Sequence, residues 1–180
     1  ESSIANASKG YNYCLLPTPL LDSTSMPHLH EKIDFTVETY IIHKNRVLLR
    51  KHDKYKIWLS IGGHIELDED PVQAALREIK EEVGLEVTLL GTPAPTETPS
   101  DTYRELLPPR FLCRNRINET HEHITLSYFA TSTSDDVIPE SPQDEWRWFT
   151  LAELDEPQFG VKDNVKYYAK AALAEAKSTL

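Results

Sequence analysis

The chain has 180 residues, 39% of them hydrophobic and 27% charged, with a formal net charge of -10. That length fits one domain with a sizeable core, and the acidic balance argues against a non-specific nucleic-acid or membrane surface. No run of about 18 apolar residues occurs, so no membrane span is expected, and two distant cysteines, Cys14 and Cys113, make no disulfide framework.

Residues 1–31 are polar and turn-rich, and Leu16 to Pro27 holds three prolines. They read as an extension that wraps the domain or pairs with another subunit, partly disordered. Glu1 to Gly10 lacks the basic-then-apolar layout of a secretory signal, so a reducing, cytoplasmic setting is the expectation. His28 and His30, two apart, could share a strand face as ligands; as surface histidines they need no role.

Ile33 to His43 is rich in β-branched and aromatic residues, and Asn45 to Lys51 follows a short polar turn. The pair predicts a hairpin. Arg50, Lys51, Lys54 and Lys56 form a basic cluster, a solvated face from which one or two side chains could reach a phosphate. Ile57 to Ile61 predicts a buried strand running into Gly62 and Gly63, where the backbone can turn tightly and approach a ligand closely. His64 follows, either touching substrate or idle in a loop.

The next stretch, Gly63 to Leu85, predicts a loop and one amphipathic helix. Asp70 suits its N-cap, Pro71 its first turn, Gln73 a capping box and Gly84 the left-handed stop. Val72, Ala75, Leu76, Ile79 and Val83 recur at helical spacing and predict its buried face. On another face, Glu78, Glu81 and Glu82 gather within about a third of the circumference. Glu78 and Glu82 repel at i,i+4, which costs roughly 0.2–0.5 kcal/mol. Glu81 and Glu82 also sit at the negative end of the helix dipole. A divalent cation would turn this repulsion into attraction.

Gly63, Glu69, Arg77, Glu78, Ile79, Glu81, Glu82, Gly84 and Leu85 fill every fixed position of G-x5-E-x7-R-E-U-x-E-E-x-G-U, where U is bulky and aliphatic. The stretch resembles the Nudix box. The resemblance implies an α/β fold, the Nudix α/β/α sandwich with a mixed β-sheet between helices, over residues 32–180. It implies hydrolysis of a nucleoside diphosphate linked to another group. Mg²⁺, with Mn²⁺ as a substitute, would be held by Glu78, Glu81, Glu82 and a Gly63 carbonyl (or that of Gly62). Glu81 is ligand or proton acceptor, and Glu69 with Arg77 is expected to form a structural ion pair.

Further along, Leu85 to Leu90 alternates as a strand, and Gly91 to Pro109 is a long Pro/Thr/Ser-rich loop, where the family's substrate-selective loops tend to lie. Pro99 and Tyr103 sit at spacings loosely like family selectivity markers, but they point to different substrates. Phe111 to Ile117 predicts a strand; Arg110, Arg114 and Arg116 could bind phosphates or a nucleobase, or be surface charge. His121 to Thr131 predicts another, with His121 and His123 on one face and Glu122 opposite. This HEH segment is the expected extra base or metal ligand from outside the box, with Glu122 as a catalytic candidate. The substrate-binding set is then Arg50, Arg110, Arg114 and His64. Asp144 to Thr150 predicts the last strand, with Trp146 and Trp148 packing on one face. A short helix starts at Ala152, and Val161, Val165, Tyr168 and Ala172 mark a C-terminal helix.

The expected substrates are nucleoside triphosphates or their damaged or deoxy forms, then nucleotide sugars such as ADP-ribose. A nucleotide-sensing domain without turnover is the alternative; a diphosphate-ester isomerase using Cys113 is a second. The expected partner is a small nucleotide diphosphate derivative, not a nucleic acid or a membrane, bound by a monomer or homodimer.

Overall fold

The computed structural model describes residues 32–53, 55–95, 102–141 and 143–179. The expectations for residues 1–31, and for Lys54 and Pro99, lie outside them. Among the described residues, seven strands form one mixed sheet: β1 (Ile33–His43), β2 (Arg46–Lys51), β3 (Trp58–Leu59), β4 (Val87–Leu89), β5 (Phe111–Arg116), β6 (Glu122–Ser132) and β7 (Glu145–Thr150). Helix α1 (Pro71–Val83) covers one face and α2 (Asp163–Thr179) the other. This is an α/β/α sandwich.

The β1–β2 hairpin turns through Lys44 and Asn45, whose φ values of 45° and 61° match the left-handed turn that two-residue hairpins favour. β1 lies parallel to β6 along ten residue pairs, from Ile33 opposite Glu122 to Ile42 opposite Thr131. β7 runs antiparallel to β2, while β4 and β5 share the far side of β6. Strand alternation sorts the core. Tyr40, Ile42, Val47, Leu49, Phe129 and Phe149 face α2 and meet Val165, Ala169 and Leu173. Ile41, Leu48 and Ala130 face α1 and meet Ile79 and Val83. Burying each large side chain contributes roughly 1.5–3 kcal/mol.

The strand expected over Ile57 to Ile61 is regular only at Trp58–Leu59, because the segment changes partner midway. Trp58 and Leu59 pair with β2, whereas Ile61 and His64 bridge to Thr39 and Thr36 of β1. The segment fills the gap where β1 and β2 diverge. That splay places the Gly62-Gly63 turn beneath α1.

Candidate active site

Helix α1 starts as its sequence dictates. The Asp70 carboxylate accepts the N–H groups of Val72 and Gln73 at 2.8 and 2.9 Å, and the Gln73 side chain accepts the Asp70 N–H at 2.9 Å. At the other end Gly84, at φ 68°, donates its N–H to the Lys80 carbonyl. The Val83 and Glu82 carbonyls are taken by the N–H groups of Ile138 and Glu140, from the link before β7. The helix's last turn is thus closed by protein groups rather than left to fray.

The buried face keeps Ala75, Ile79 and Val83 of the expected residues, and Val72 is only partly buried. Leu76 is 42% exposed, and Ala74 is buried instead. The face centres on Ala75 and Ile79, and Leu76 lies about 100° round from Ala75. The same geometry grades the three glutamates. Relative to Ala75, Glu82 lies about 20° away, Glu78 about 60° and Glu81 about 120°. Their side-chain exposures follow that order, at 9%, 14% and 54%. Glu82 therefore sits in the core-facing arc although it is charged.

Two glycines let these carboxylates close on the backbone. Gly62 has φ 148°, and a Cβ there would stand 2.1 Å from the Val37 carbonyl oxygen; a Cβ at Gly63 would stand 2.4 Å from Glu78 Oε1. The Gly62 N–H donates to Glu82 Oε2 at 3.1 Å. Glu78 and Glu82 thus meet at one turn. The Gly63 carbonyl accepts the Val37 N–H at 2.9 Å, so only its second lone pair is left for a metal.

Arg77 fastens the loop to the helix. Its guanidinium donates to Glu69 through two nitrogens at 3.0 and 2.7 Å, to the His64 carbonyl at 2.9 Å, and to Glu78 and Glu81 at 2.9 Å each. This bonding raises the Arg77 pKa and, through the Arg77 hydrogen bond, lowers that of Glu69. Burial raises Glu78 despite Arg77. Burial also pushes Glu82 up to about 7, with Glu78 and Glu140 adding to it and Arg50 and the Gly62 N–H opposing it.

Arg50 reaches Glu82 from β2, hydrogen-bonding its carboxylate, and its other nitrogen lies 3.4 Å from Asp144. The guanidinium also lies over the Trp146 ring. One cation is divided between two buried carboxylates, and Asp144 Oδ1 has no hydrogen-bond partner among the described residues. The cluster is short of positive charge, and every donor is oxygen. This set suits a hard divalent cation.

A cavity of about 350 Å³ opens beside it, lined by Arg50, His52, Gly62, Gly63, His64, Glu82 and His123. Burial, with His64 and His121 nearby, lowers the His123 pKa. Of the expected substrate-binding residues, Arg50 and His64 are here. Three other expected site residues are engaged elsewhere. Arg110 is bound to Glu175 of α2 through both Nε and Nη2. Arg114 donates to Glu122 at 2.7 Å, and Lys32 lies 3.4 Å from the same carboxylate. Glu122 points to the sheet face opposite His123, as alternation requires, and so lies away from the cavity. Asp144 was missed as a site residue from the sequence; its one signal was an acid at the start of the predicted last strand.

The O-donor carboxylate cluster sits on a capped helix over a mixed sheet, an arrangement of the α/β/α sandwich class that could hold a divalent cation. The NUDIX domain family model matches residues 36–171, and the chain belongs to that family. It is similar to a NUDIX-family hydrolase from Clostridium perfringens, with 32% identity, TM-score 0.68, and coverage of 81% of this chain and 98% of that one. A MutT NUDIX hydrolase from Burkholderia pseudomallei shares the fold at 22% identity and TM-score 0.53, over 81% of this chain and 98% of that one. An RNA pyrophosphohydrolase of Roseobacter denitrificans is 31% identical over 58% of this chain and 67% of its own length. One from Gluconacetobacter diazotrophicus is 28% identical over 61% and 66%. The protein is a NUDIX-family hydrolase.

Proposed function

We propose that the protein is a Mg²⁺-dependent pyrophosphohydrolase that cleaves between phosphates of a nucleoside 5′-triphosphate or its deoxy or damaged forms. The observation that carries this reading is the meeting of Glu78 and Glu82 at the Gly62-Gly63 turn, with Glu81 tied to Glu78 through Arg77. Glu78, Glu81 and Glu82 would hold the ion, with the spare lone pair of Gly63. When bound, Mg²⁺ supplies charge neutralisation for the diphosphate and lowers the pKa of a coordinated water.

The remaining work belongs to the chain. Arg77 holds Glu78 and Glu81 in place and ties both to Glu69. The Gly62 N–H fixes the rotamer of Glu82. A water oxygen attacks one phosphorus, its proton passes to Glu81 or Glu82, and the bond from that phosphorus to the bridging oxygen breaks. The leaving phosphate departs with the bridging oxygen. Arg50 stands where it can offset charge building on the phosphates.

A second reading is the triphosphorylated 5′ end of RNA. The names of the two bacterial relatives favour it, and the bond cleaved is of the same kind. The net charge of -10 disfavours an extended grip on an RNA body.

The test is a panel of nucleoside and deoxynucleoside triphosphates, ADP-ribose and a 5′-triphosphorylated RNA oligonucleotide, each with Mg²⁺ or Mn²⁺. Phosphate or pyrophosphate release from the triphosphates, lost in a folded Glu82→Gln variant, is the expected result; AMP and ribose 5-phosphate mark any cleavage of ADP-ribose. No release from any substrate, or full activity in that variant, overturns the proposal. Preference for the RNA end over free nucleotides selects the second reading.

A further inference from the structure

A second group of ligand-type side chains stands beside the carboxylate cluster and differs from it in chemistry. Asp34 and His123 are paired across the parallel β1–β6 register. His121 lies just before β6, and His64 is bridged to β1 through Thr36. Three neighbouring segments therefore deliver four side chains to one point. One ligand-type atom from each lies within 4.8 Å of every other.

The individual distances have the scale of a coordination shell. His121 Nε2 and His123 Nε2 are 2.8 Å apart. Asp34 Oδ2 is 3.5 Å from His64 Nε2 and 3.6 Å from His121 Nε2. Around a tetrahedral ion with bonds of about 2.0–2.1 Å, neighbouring ligand atoms stand about 3.3 Å apart. His64 and His121 turn Nε2 toward the Asp34 carboxylate, and His123 turns Nε2 toward that of His121.

We propose that Asp34, His64, His121 and His123 form a site for a borderline divalent cation of the zinc class, separate from the carboxylate site of α1. Three nitrogens and one oxygen make a donor set that zinc accepts readily and magnesium does not. His64 and His123 also line the cavity that Gly62, Gly63 and Glu82 line, so this ion sits at the rim of the same cavity. Bound there, it ties the start of β1 and β6 to the residue that follows Gly63. The site does not depend on what the cavity hydrolyses.

The experiment is zinc binding to the metal-stripped full chain, followed by calorimetry, with cobalt as an optical substitute and no nucleotide present. The expected result is one tightly bound zinc and the intense visible cobalt bands of a four-coordinate site. Both persist in Glu82→Gln, which disables the carboxylate site. Affinity falls at least tenfold in His64→Ala and in His121→Gln, and the cobalt bands collapse. His64 is half exposed, so its replacement tests the ligand set without endangering the fold. Circular dichroism confirms folding of each variant. Zinc binding unchanged by the histidine variants, binding lost in Glu82→Gln alone, or no stoichiometric binding at all overturns the proposal.

Discussion

Glu82 and Glu122 are both buried, at 7% and 4% exposure, and each contacts an arginine, yet they behave in opposite ways. At Glu122 burial favours the neutral form, but Arg114 and Lys32 more than offset it and hold the carboxylate below its usual range. At Glu82 burial wins. Its arginine is shared with Asp144, and Glu78 and Glu140 add negative charge. Glu122 is a closed ion cluster that needs nothing more. Glu82 is left in deficit, and a divalent cation would remove that deficit. A buried carboxylate marks a site only when its own surroundings fail to neutralise it.

The largest expected effect separates the two directly. Glu82→Gln lowers kcat/KM by ~100-fold or more, on the scale of losing a group that stabilises transition-state charge. Glu122→Gln leaves kcat/KM within about twofold but lowers the denaturation midpoint, because Arg114 and Lys32 lose their partner. Steady-state kinetics beside chemical denaturation checks both. Comparable activity losses would erase the distinction.

Next in size is Arg77→Lys. An ammonium keeps the charge but cannot serve Glu69, Glu78, Glu81 and the His64 carbonyl at once. Activity should fall roughly 10- to 100-fold, and more Mg²⁺ should be needed for half-maximal rate, as expected if Arg77 orients the proposed metal ligands. A titration of rate against Mg²⁺ reads this.

The pH dependence of stability sharpens the comparison further. Folding raises Glu82 from 4.5 to about 7. Between those values the folded state holds a proton that the unfolded state has released. Its contribution is therefore fully present below about pH 4.5 and is lost as pH rises through 7. The loss is on the order of 3 kcal/mol. Urea midpoints of metal-free protein should fall across this window, and Glu82→Gln should flatten the fall. Glu122 has the opposite sign: its contribution is present above pH 4.5 and is lost on further acidification through its lowered value.

The smallest effect on activity is expected from Arg110→Ala. Its guanidinium is spent on Glu175, so kcat/KM stays within about twofold, while stability falls by roughly 1–3 kcal/mol. A change in KM for the nucleotide would return Arg110 to the substrate.

These arginines also show what a sequence can and cannot tell. The helix caps, the hairpin and the hydrophobic alternation of β1 and β6 are local, and each was legible as residue type and spacing. Arg110 and Glu175 lie 65 positions apart, and their pairing depends on where α2 crosses β5. Nothing near either residue encodes it. The same holds for Arg50, whose partners Glu82 and Asp144 come from distant segments. Glu122 read as part of an HEH motif, and alternation already placed it on the other face from its two histidines. Asp34 and His64 could not be added to that motif, because the parallel β1–β6 register is a tertiary fact.

The backbone bonds from Ile138 and Glu140 to the end of α1 carry a consequence beyond helix stability. They make the connection between β6 and β7 a clamp on the turn that bears Glu81 and Glu82. A lengthened or cut connection would release that turn without touching a single ligand side chain. Change in this outlying strand-to-strand crossing would thus register as a fault at the carboxylate cluster, and evolution could tune the site from there while leaving the nine signature positions intact.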